Sequence, residues 1–479
     1  MKILHISAEC YPAAKAGGLG DVVGALPKYL NAAGSQVGVI IPKYQTKWME
    51  EHSFSIVYKG VVRLGHTFVP FSIEKENSDA LEFPFFVANI PGKFDRAGIY
   101  TDAAGNGFRD DVERYLCFQQ AVLQWILNAP GKPQVLHCHD HHTGLIPFFL
   151  KHAVEYKALR QIPTIFTIHN GKYHGAYSWD KMYLLPFFDG QARGLLDWNQ
   201  LINPLATAIK CAWRVTTVSP TYLKELRQAS NGLELLLQHE QHKCLGILNG
   251  IDTETWDPES DPMIVSTKGE NDLSIFKDTN KKALLQRFNL NQNGPLIVFI
   301  GRLVAEKGAD LIPDLLHNCF QHGMRFNFIL LGTGQANLHR IFEDLNRQFA
   351  NRFHAVLEYN ESLAHQLYAG ADFMFMPSRV EPCGLNQMYA MRYGTIPIVR
   401  AVGGLHDTVP DIGERDGRGI RFHQFNLEDS QLALYRAAEL FHRFPENFEE
   451  IRAKITNLDF SWERSVQAYS EIYEEMRSV

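Results

Sequence analysis

The chain has 479 residues, more than one hydrophobic core usually serves, so we expect two domains. Hydrophobic residues make up 45% of it and charged residues 21%, a balance that excludes a disordered chain and an integral membrane protein. The net charge of −6 gives no overall positive field, so neither nucleic acid nor a membrane surface is an expected partner.

The amino terminus predicts no export signal, because its short apolar run meets Glu9 and Lys15 too early for a secretory core. No other run is long enough to span a bilayer. The seven cysteines are scattered and form no Cys-x-x-Cys pair, which argues against a disulfide framework. These features favour a reducing, cytoplasmic location.

Short apolar runs rich in β-branched residues alternate with longer amphipathic stretches, a rhythm typical of parallel βαβ units. The predicted strands of the first half are KILHISAE, GSQVGVIIPKY, FPFFVANI, QVLHCHD, PTIFTIHN and RVTTVS. Those of the second half are PLIVFIGR, FNFILLGTG, FHAVLEY, ADFMFMPS, TIPIVRA and GRGIRF. A polar stretch at 246–280 separates the two series and predicts a linker, with a domain boundary near residue 250. The last segment, FSWERSVQAYSEIYEEMRSV, has the spacing of a helix.

Ligands of open α/β sheets bind at the carboxyl ends of strands, so we expect the chemistry in the strand-to-helix loops. The first such loop, KAGGLGD, follows the opening strand. Its glycines let the backbone approach an anion and Lys15 adds a charge, which predicts a phosphate cradle. The spacing matches neither a dinucleotide fingerprint nor a Walker loop, and a glycine turn with a solvated lysine fits these residues equally well.

A second loop, GRLVAEKG, directly follows the strand PLIVFI. Arg302 offers a planar donor fork and Lys307 a point charge, a combination suited to a diphosphate that gains charge as it leaves. The alternative is a solvated loop whose two cations pair with Glu306 or Asp310.

A third loop, EPCGLNQ, lies between the strand ADFMFMPS and the helix MYAMRYG. Glu381 at a strand end can hold sugar hydroxyls, while N–H groups near Gly384 can meet phosphate. The alternative is a glutamate that only caps the helix. Cys383 has the character of a small buried residue rather than of a nucleophile.

The run HCHDHH at 137–142, with His169 and Asn170 after the next strand, raises the alternative of a metal-dependent hydrolase. Its order differs from the H-x-H-x-D-H pattern of binuclear sites, so metal binding is the less favoured interpretation and some of these histidines are expected in the core. No two aspartates of the chain stand one residue apart, so an Asp-x-Asp metal site is absent as well. We therefore expect cationic side chains, with no metal, to neutralise a diphosphate.

Taken in order, these segments resemble bacterial glycogen synthase and plant starch synthase, retaining glucosyltransferases of the GT-B fold. The resemblance spans nearly the whole chain, and it is carried by KAGGLGDVVGALP, HCHDHHTGL, FTIHN, TTVSPTY, GILNGID, FIGRLVAEKG, SRVEPCGLNQMYAMRYGTIPIVR, VGGLHDTV and FSWERSVQAY. It implies an α/β architecture of two doubly wound, Rossmann-like domains that face a deep interdomain cleft. The implied divisions are an acceptor-binding domain at 1–250, a nucleotide-sugar-binding domain at 251–460, and a terminal helix at 461–479 that returns to the first domain.

The resemblance implies that the chain transfers glucose from ADP-glucose or UDP-glucose to the non-reducing end of an α-1,4-glucan, with retention of configuration. Glycogen, starch or a maltooligosaccharide primer would be the acceptor. Nucleotide-glucose would be a substrate, so no cofactor is expected. The implied location is the cytoplasm, or the plastid stroma for a mature chain.

By position, the resemblance assigns roles to individual residues. It places Lys15, Gly18, Arg302 and Lys307 at the donor phosphates, and Glu381 and His169 beside the transferred glucose. It places Asp21, Asp140 and Asn249 in the lining of the sugar and acceptor region, Tyr359 against the base, and the backbone of Cys383, Gly384 and Leu385 under the sugar and diphosphate. The residues expected to be catalytic are Glu381, His169, Lys307, Arg302, Asp140 and Asn249; the others are expected to bind the nucleotide sugar.

One position departs from the family pattern, and a second departs from a broader transferase pattern whose second glutamate the synthases generally lack. His174 replaces the glutamine of H-N-x-x-Y-Q-G, and Tyr389 stands where a broader group of transferases has a second glutamate, so ribose contacts must come from elsewhere. A glucosyltransferase with a small acceptor such as sucrose, and an inactive glucan-binding protein, remain alternatives. Retention allows a covalent intermediate or same-face attack; the phosphate-rich turn around Glu381, with no evident second carboxylate, favours same-face attack.

Overall fold

The computed structural model describes residues 1–96, 98–102, 105–269 and 272–476. The chain forms two compact units. The first comprises Met1–Asn249 with Trp462–Val479, and the second comprises Gly250–Ser461. Residues 270–271 of the predicted linker and 477–479 of the predicted terminal helix lie outside the described residues.

The first unit is built on a large, mostly parallel sheet. The strands described in this unit are β1 Lys2–Ile6, β2 Gln36–Pro42, β3 Phe54–Leu64, β4 Thr67–Glu76, β5 Phe85–Asn89, β6 Val135–His139, β7 Thr164–Ile168, β8 Asp197–Trp198, β9 Leu201–Ile202, β10 Arg214–Thr217 and β11 Cys244–Gly246. Their order in the main sheet is β11-β10-β7-β6-β1-β2-β5-β4-β3, and β8 and β9 form a separate two-stranded sheet. From β6 the chain winds outward to β11, whereas after β2 it passes to the edge strand β3 and returns through β4 to β5.

Helices connect these strands and begin where the sequence supplies caps. They are α1 Gly18–Ala32, α2 Lys47–Glu51, α3 Asp111–Asn128, α4 Ile146–His152, α5 Arg193–Leu196, α6 Pro204–Cys211, α7 Pro220–Leu226 and α8 Glu234–His239. Asn203 and Ser219 accept backbone N–H groups at the starts of α6 and α7, and a proline follows each as the first helical residue.

The second unit repeats the α/β pattern with a smaller, fully parallel sheet. Its described strands are β12 Leu296–Ile300, β13 Asn327–Leu331, β14 Phe353–Val356, β15 Phe373–Met376, β16 Ile396–Arg400 and β17 Ile420–Phe422. Its helices are α9 Leu273–Arg287, α10 Ile312–Gln321, α11 Ala336–Gln348, α12 Glu361–Gly370, α13 Asn386–Arg392, α14 Gly403–Thr408, α15 Leu427–Arg443 and α16 Pro445–Thr456. The strand order, β14-β13-β12-β15-β16-β17, is that of the Rossmann fold.

All of the predicted strands are confirmed, but the sequence interpretation missed an antiparallel hairpin. β3 and β4 pair with Leu64 opposite Thr67, and β3 forms an edge of the large sheet. The hairpin contains no intervening helix, so the βαβ rhythm did not reveal it. The predicted linker is partly wrong, because α9 begins at Leu273, and the short β11 was also missed.

The carboxyl-terminal helix, α17 Trp462–Glu475, packs into the core of the first unit. Trp462, Tyr469 and Tyr473 are buried there in one cluster with Ile3 and Val22. The seven cysteines are all buried free thiols, which confirms the argument against a disulfide framework. Among the described helices, none has the length and hydrophobicity that crossing a membrane requires.

Candidate active site

In the second unit the predicted residues, apart from Tyr359, lie at the point where the strand order reverses. β12 is flanked by β13 and β15, so the loops that follow β12 and β15 begin side by side. Arg302 and Lys307 follow β12, and Glu381 follows β15. This switch point is where doubly wound sheets bind their ligands.

A charged pair joins the two loops. The Nζ atom of Lys307 lies 2.7 Å from both carboxylate oxygens of Glu381. The Ser378 hydroxyl donates to Oε2 of the same carboxylate at 2.8 Å. Glu381 is buried, with 4% of its surface exposed, while Lys307 is partly open to solvent. The carboxylate therefore holds the ammonium group in place at the edge of the site.

Backbone contacts lock the same two loops together. The backbone N–H of Arg379 donates to the carbonyl of Glu306 at 2.8 Å, and the side-chain amide of Asn386 donates to the carbonyl of Ile300 at 2.8 Å. Gly308 has a φ of 71° and its position leaves no room for a Cβ, which would lie 2.1 Å from the Pro377 carbonyl oxygen. Only glycine meets both conditions without displacing the loop.

The solvated-loop alternative proposed for GRLVAEKG is correct only in part. Arg302 does pair with Glu306, at 3.6 Å, but 55% of the Arg302 side-chain surface is exposed. The guanidinium group is therefore accessible to a ligand. Asp310 instead binds Arg379 through two hydrogen bonds of 2.6 and 2.7 Å. Lys307 pairs with Glu381 instead of with Glu306 or Asp310.

Glu381 does not cap the following helix. The N-cap position of α13 is Leu385, and no side chain caps it. Gly384 has a φ of 72°, which reverses the chain between Glu381 and the helix, and Cys383 is buried as expected. The predicted base-stacking residue, Tyr359, follows β14 and exposes 73% of its surface.

Two glycines that the motif analysis did not single out support this turn. The backbone N–H of Gly404 donates to the Glu381 carbonyl at 3.1 Å. A Cβ on Gly403 would lie 2.0 Å from the Glu381 carbonyl oxygen, and one on Gly404 would lie 2.0 Å from that of Cys383. The consecutive glycines after β16 were the available signal, because adjacent glycines often mark a close backbone approach.

The first unit places some of its predicted residues at a reversal of strand order, in the loops after β1 and β6. His169 and Asn249 lie outside that point, because they follow β7 and β11. In the loop after β1, Lys15 donates to Asp21 at 2.6 Å, and α1 begins at Gly18. Glu9, which the sequence interpretation missed, accepts the backbone N–H groups of Ala16 and Gly17 at 2.5 and 2.9 Å. Burial raises the pKa of the Glu9 carboxyl, while its hydrogen bonds act in the opposite direction.

Asp140 follows β6 and organises the neighbouring loop. Its Oδ1 accepts the backbone N–H of His169 at 2.7 Å and that of Asn170 at 3.3 Å. Asp140 has a backbone φ of 54°, which is uncommon for a residue other than glycine. Such backbone strain is often found at functional sites. Burial raises the pKa of Asp140 to about 7. Asn249, also buried, has no hydrogen-bond partner for Oδ1 among the described residues.

The histidine run divides between two environments. His137 and His139 lie in β6, and with His5 they form a buried group whose ring nitrogens lie within 4.8 Å of one another, compatible with metal ligation. The ring centroids of His141 and His142 lie 3.8 Å apart, with the ring planes tilted by 36°. The structure therefore confirms that histidines of this run belong to the core of the first unit.

Models of known families match both parts of the chain. Residues 2–239 match the starch synthase catalytic domain, and residues 280–434 match glycosyl transferases group 1. A glycogen synthase of Flavobacterium johnsoniae is 47% identical over 474 residues, covering 99% of this chain and 98% of that protein. The chain belongs to the glycogen synthase family. A glycogen synthase of Geobacillus stearothermophilus is 36% identical and covers 99% of this chain.

Solved structures agree with the family. The catalytic domain of starch synthase IV from Arabidopsis thaliana, bound to ADP and acarbose, has a TM-score of 0.90 and 32% identity, covering 100% of this chain and 99% of that one. Sucrose-phosphate synthase from Thermosynechococcus elongatus, at 18% identity and a TM-score of 0.61, shares the fold. The present chain is thus a glycosyltransferase with the two Rossmann-like domains of the GT-B class, and its function is that of glycogen and starch synthases.

The position that departs from the synthase pattern and the one that departs from the broader transferase pattern both have structural explanations. His174 is held by the Ser230 carbonyl at 3.1 Å and lies 3.4 Å from the side-chain amide of Asn203, so it supports a local loop. Tyr389 is nearly buried and stacks on Trp256 with ring centroids 4.0 Å apart. Tyr389, which stands where the broader group of transferases has a glutamate, therefore contributes to packing in the second unit.

Proposed function

We propose that the chain elongates an α-1,4-glucan by transferring glucose from ADP-glucose or UDP-glucose to its non-reducing end, with retention of configuration. The observation that carries the proposal is the pair of Lys307 and Glu381 at the switch point of the second unit, with Arg302 beside it on the same loop. The names of the relatives, and the ADP and acarbose bound to the Arabidopsis enzyme, support this choice of donor and acceptor.

The second unit binds the nucleotide sugar in this proposal. Arg302 and Lys307 stabilise the diphosphate as the bond to the anomeric carbon lengthens and negative charge moves onto the leaving oxygen. The backbone of Cys383, Gly384 and Leu385 supports the sugar and diphosphate, and the exposed ring of Tyr359 stacks on the base. Stabilisation of the leaving group is then the largest contribution to the rate.

Glu381 acts as a positioning group for Lys307 and as a polar neighbour of the sugar. Both of its oxygens are engaged by Lys307, and one also by Ser378. A covalent intermediate would require one of these oxygens to leave its partners and attack the anomeric carbon. We therefore favour same-face attack, in which the departing phosphate accepts the proton of the acceptor hydroxyl.

The first unit binds the acceptor in this proposal. His169 and Asp140 lie on adjacent loops, and their hydrogen bond makes them a single rigid element. Lys15 and Gly18 follow the neighbouring strand and face the donor phosphates in this proposal, while Asp21 and Asn249 line the sugar and acceptor region. We propose metal-independent transfer in the cytoplasm, which agrees with the cationic loop and with seven free thiols.

The direct test measures nucleotide release from ADP-glucose and from UDP-glucose, with and without an α-1,4-glucan primer. Primer-dependent release accompanied by a lengthened glucan supports the proposal, and the better donor identifies the base preference. Analysis of the anomeric linkage in the product tests retention. Release that needs no primer, or a primer that is bound but never extended, would contradict it.

A further inference from the structure

A continuous chain of hydrogen bonds runs through the core of the first unit and ends at His169. From the far end it links Thr216, Thr167, His137, Tyr473, His5, His139 and His169. The distances between successive polar atoms are 2.6, 2.6, 2.7, 3.2, 3.0 and 3.0 Å. The chain joins four strands to the carboxyl-terminal helix through the Tyr473 hydroxyl.

The geometry favours hydrogen bonds over a metal ion at this cluster. Every ring nitrogen of His5, His137 and His139 already has a hydrogen-bond partner among the described residues. A metal would displace at least two of these bonds, and the triad supplies no carboxylate to balance a buried divalent charge. Neutral histidines joined by hydrogen bonds satisfy the same atoms without that cost.

Burial keeps the histidines of the chain uncharged. It lowers the pKa of His5 and of His169 to about 3, and those of His137 and His139 well below the ordinary value. A neutral imidazole has one N–H donor and one acceptor nitrogen. Each ring that accepts at one nitrogen therefore donates at the other. A hydroxyl of Thr167 or Tyr473 that accepted from both neighbours would leave its own proton unpaired, so the chain in which every proton is paired points in one direction.

The Thr216 end selects that direction. Thr216 is fully buried, and its hydroxyl contacts only the Thr167 hydroxyl among the described residues. If Thr167 donated to Thr216, the Thr216 proton would be left without an acceptor, which costs roughly a factor of ten to a hundred in population. Thr216 therefore donates, and the protons of the whole chain point toward His169.

We propose that this chain holds His169 in the tautomer with its proton on Nδ1, so that His169 acts on its substrate as a hydrogen-bond donor. Its Nε2 accepts from His139 Nδ1, and Nδ1 is the ring nitrogen of the chain that has no partner within the described part of the protein. Thr216 and Tyr473 are then positioning residues that act through other groups. The catalytic consequence rests on the proposed role of His169 beside the transferred glucose, whereas the tautomer does not.

The test records ring ¹⁵N–¹H correlation spectra of the full-length protein labelled in its histidines, and His169→Asn identifies the His169 signals. We expect a protonated Nδ1 and an unprotonated Nε2 in the wild type. Thr216→Val removes the terminal donor and should let both tautomers of His169 appear, and Thr216→Ser should restore the single tautomer. Tyr473→Phe interrupts the chain at a second point and should also release the tautomer.

Thr217→Val is the matched control. Thr217 is the neighbouring strand residue, equally buried, and its hydroxyl donates to the carbonyl of Ile168, outside the chain. This variant loses a similar hydrogen bond and should keep the wild-type tautomer and activity. In Thr216→Val, about half of the molecules in the wrong tautomer would lower kcat/KM about twofold.

The possible outcomes separate the two proposals. A proton on Nε2 of His169 in the wild type, unchanged tautomers in both Thr216→Val and Tyr473→Phe, or stoichiometric zinc bound by the purified protein would overturn the inference. The expected tautomer in a protein that never extends glucan would refute the proposed function and leave the tautomer assignment in place.

Discussion

Asp140 accepts the backbone N–H of His169 at 2.7 Å, so one buried carboxyl holds the loop that carries a predicted site residue. The raised pKa of Asp140, about 7 against 3.8, means that the folded state favours the protonated form. The stability that this group contributes is therefore fully present below about pH 3.8 and is lost as the pH rises through about 7. The free energy of unfolding should therefore decrease as the pH rises across this range.

The corresponding test is Asp140→Asn. We expect the difference in free energy of unfolding, wild type minus variant, to fall by at most about 4 kcal/mol between about pH 4 and about pH 7. Urea unfolding at several pH values measures it, and Asp180→Asn, at an exposed position, controls for the loss of one carboxylate. A difference that does not vary with pH would show that Asp140 is not titrating in this range.

Lys307→Ala should lower kcat for glucose transfer about 10²- to 10³-fold, because it removes a fixed charge from the leaving diphosphate. Steady-state assays with nucleotide glucose and glycogen measure the effect. Lys282→Ala, at an exposed position on α9, should retain wild-type rates. Wild-type kinetics in Lys307→Ala would remove Lys307 from the site.

Gly404→Ala should reduce activity through the backbone alone. The added Cβ would lie 2.0 Å from the Cys383 carbonyl oxygen, so the turn that carries Glu381 must move. We expect a fall in kcat of at least about tenfold with the fold retained, measured by transfer assays and circular dichroism. Gly190→Ala, where nothing lies within 4 Å of the new Cβ, is the control; equal activity of the two variants would disprove the argument.

Glu9→Ala should loosen the loop that carries Lys15 and Gly18. The substitution removes the acceptor for the N–H groups of Ala16 and Gly17, at a cost of about 2 kcal/mol in stability. We also expect a higher KM for nucleotide glucose. Glu51→Ala, in an exposed ion pair with Lys47, should change neither quantity. An unchanged KM would indicate that this loop does not contact the donor.

A chelator should leave the transfer rate unchanged, because in our proposal Arg302 and Lys307 neutralise the diphosphate. The experiment compares rates after extensive dialysis against EDTA with rates after readdition of Mg²⁺, Mn²⁺ or Zn²⁺. Recovery of activity only with one of these ions would show that the cationic loop is insufficient and that a metal participates.

Much of the fold could be predicted from local sequence. Strands buried on both faces leave continuous apolar runs, and each run here is followed by the glycines and helix-start residues of a βαβ unit. The same pattern located Lys15, Arg302, Lys307 and Glu381 at strand ends, because ligand loops of such sheets follow their strands directly. The hairpin of β3 and β4 escaped this reasoning because its alternating, half-exposed residues follow a different period.

The partners of these residues depended on the tertiary structure. Lys307 pairs with Glu381, 74 positions away, and not with the nearby Glu306 or Asp310. The reason is that the order of strands in the sheet brings the loops after β12 and β15 together. The hydrogen-bond chain to His169 depends on contacts as distant as that between His5 and Tyr473, 468 positions apart. Sequence determines which chemical groups follow each strand, whereas the order of strands and the return of the last helix decide which groups meet.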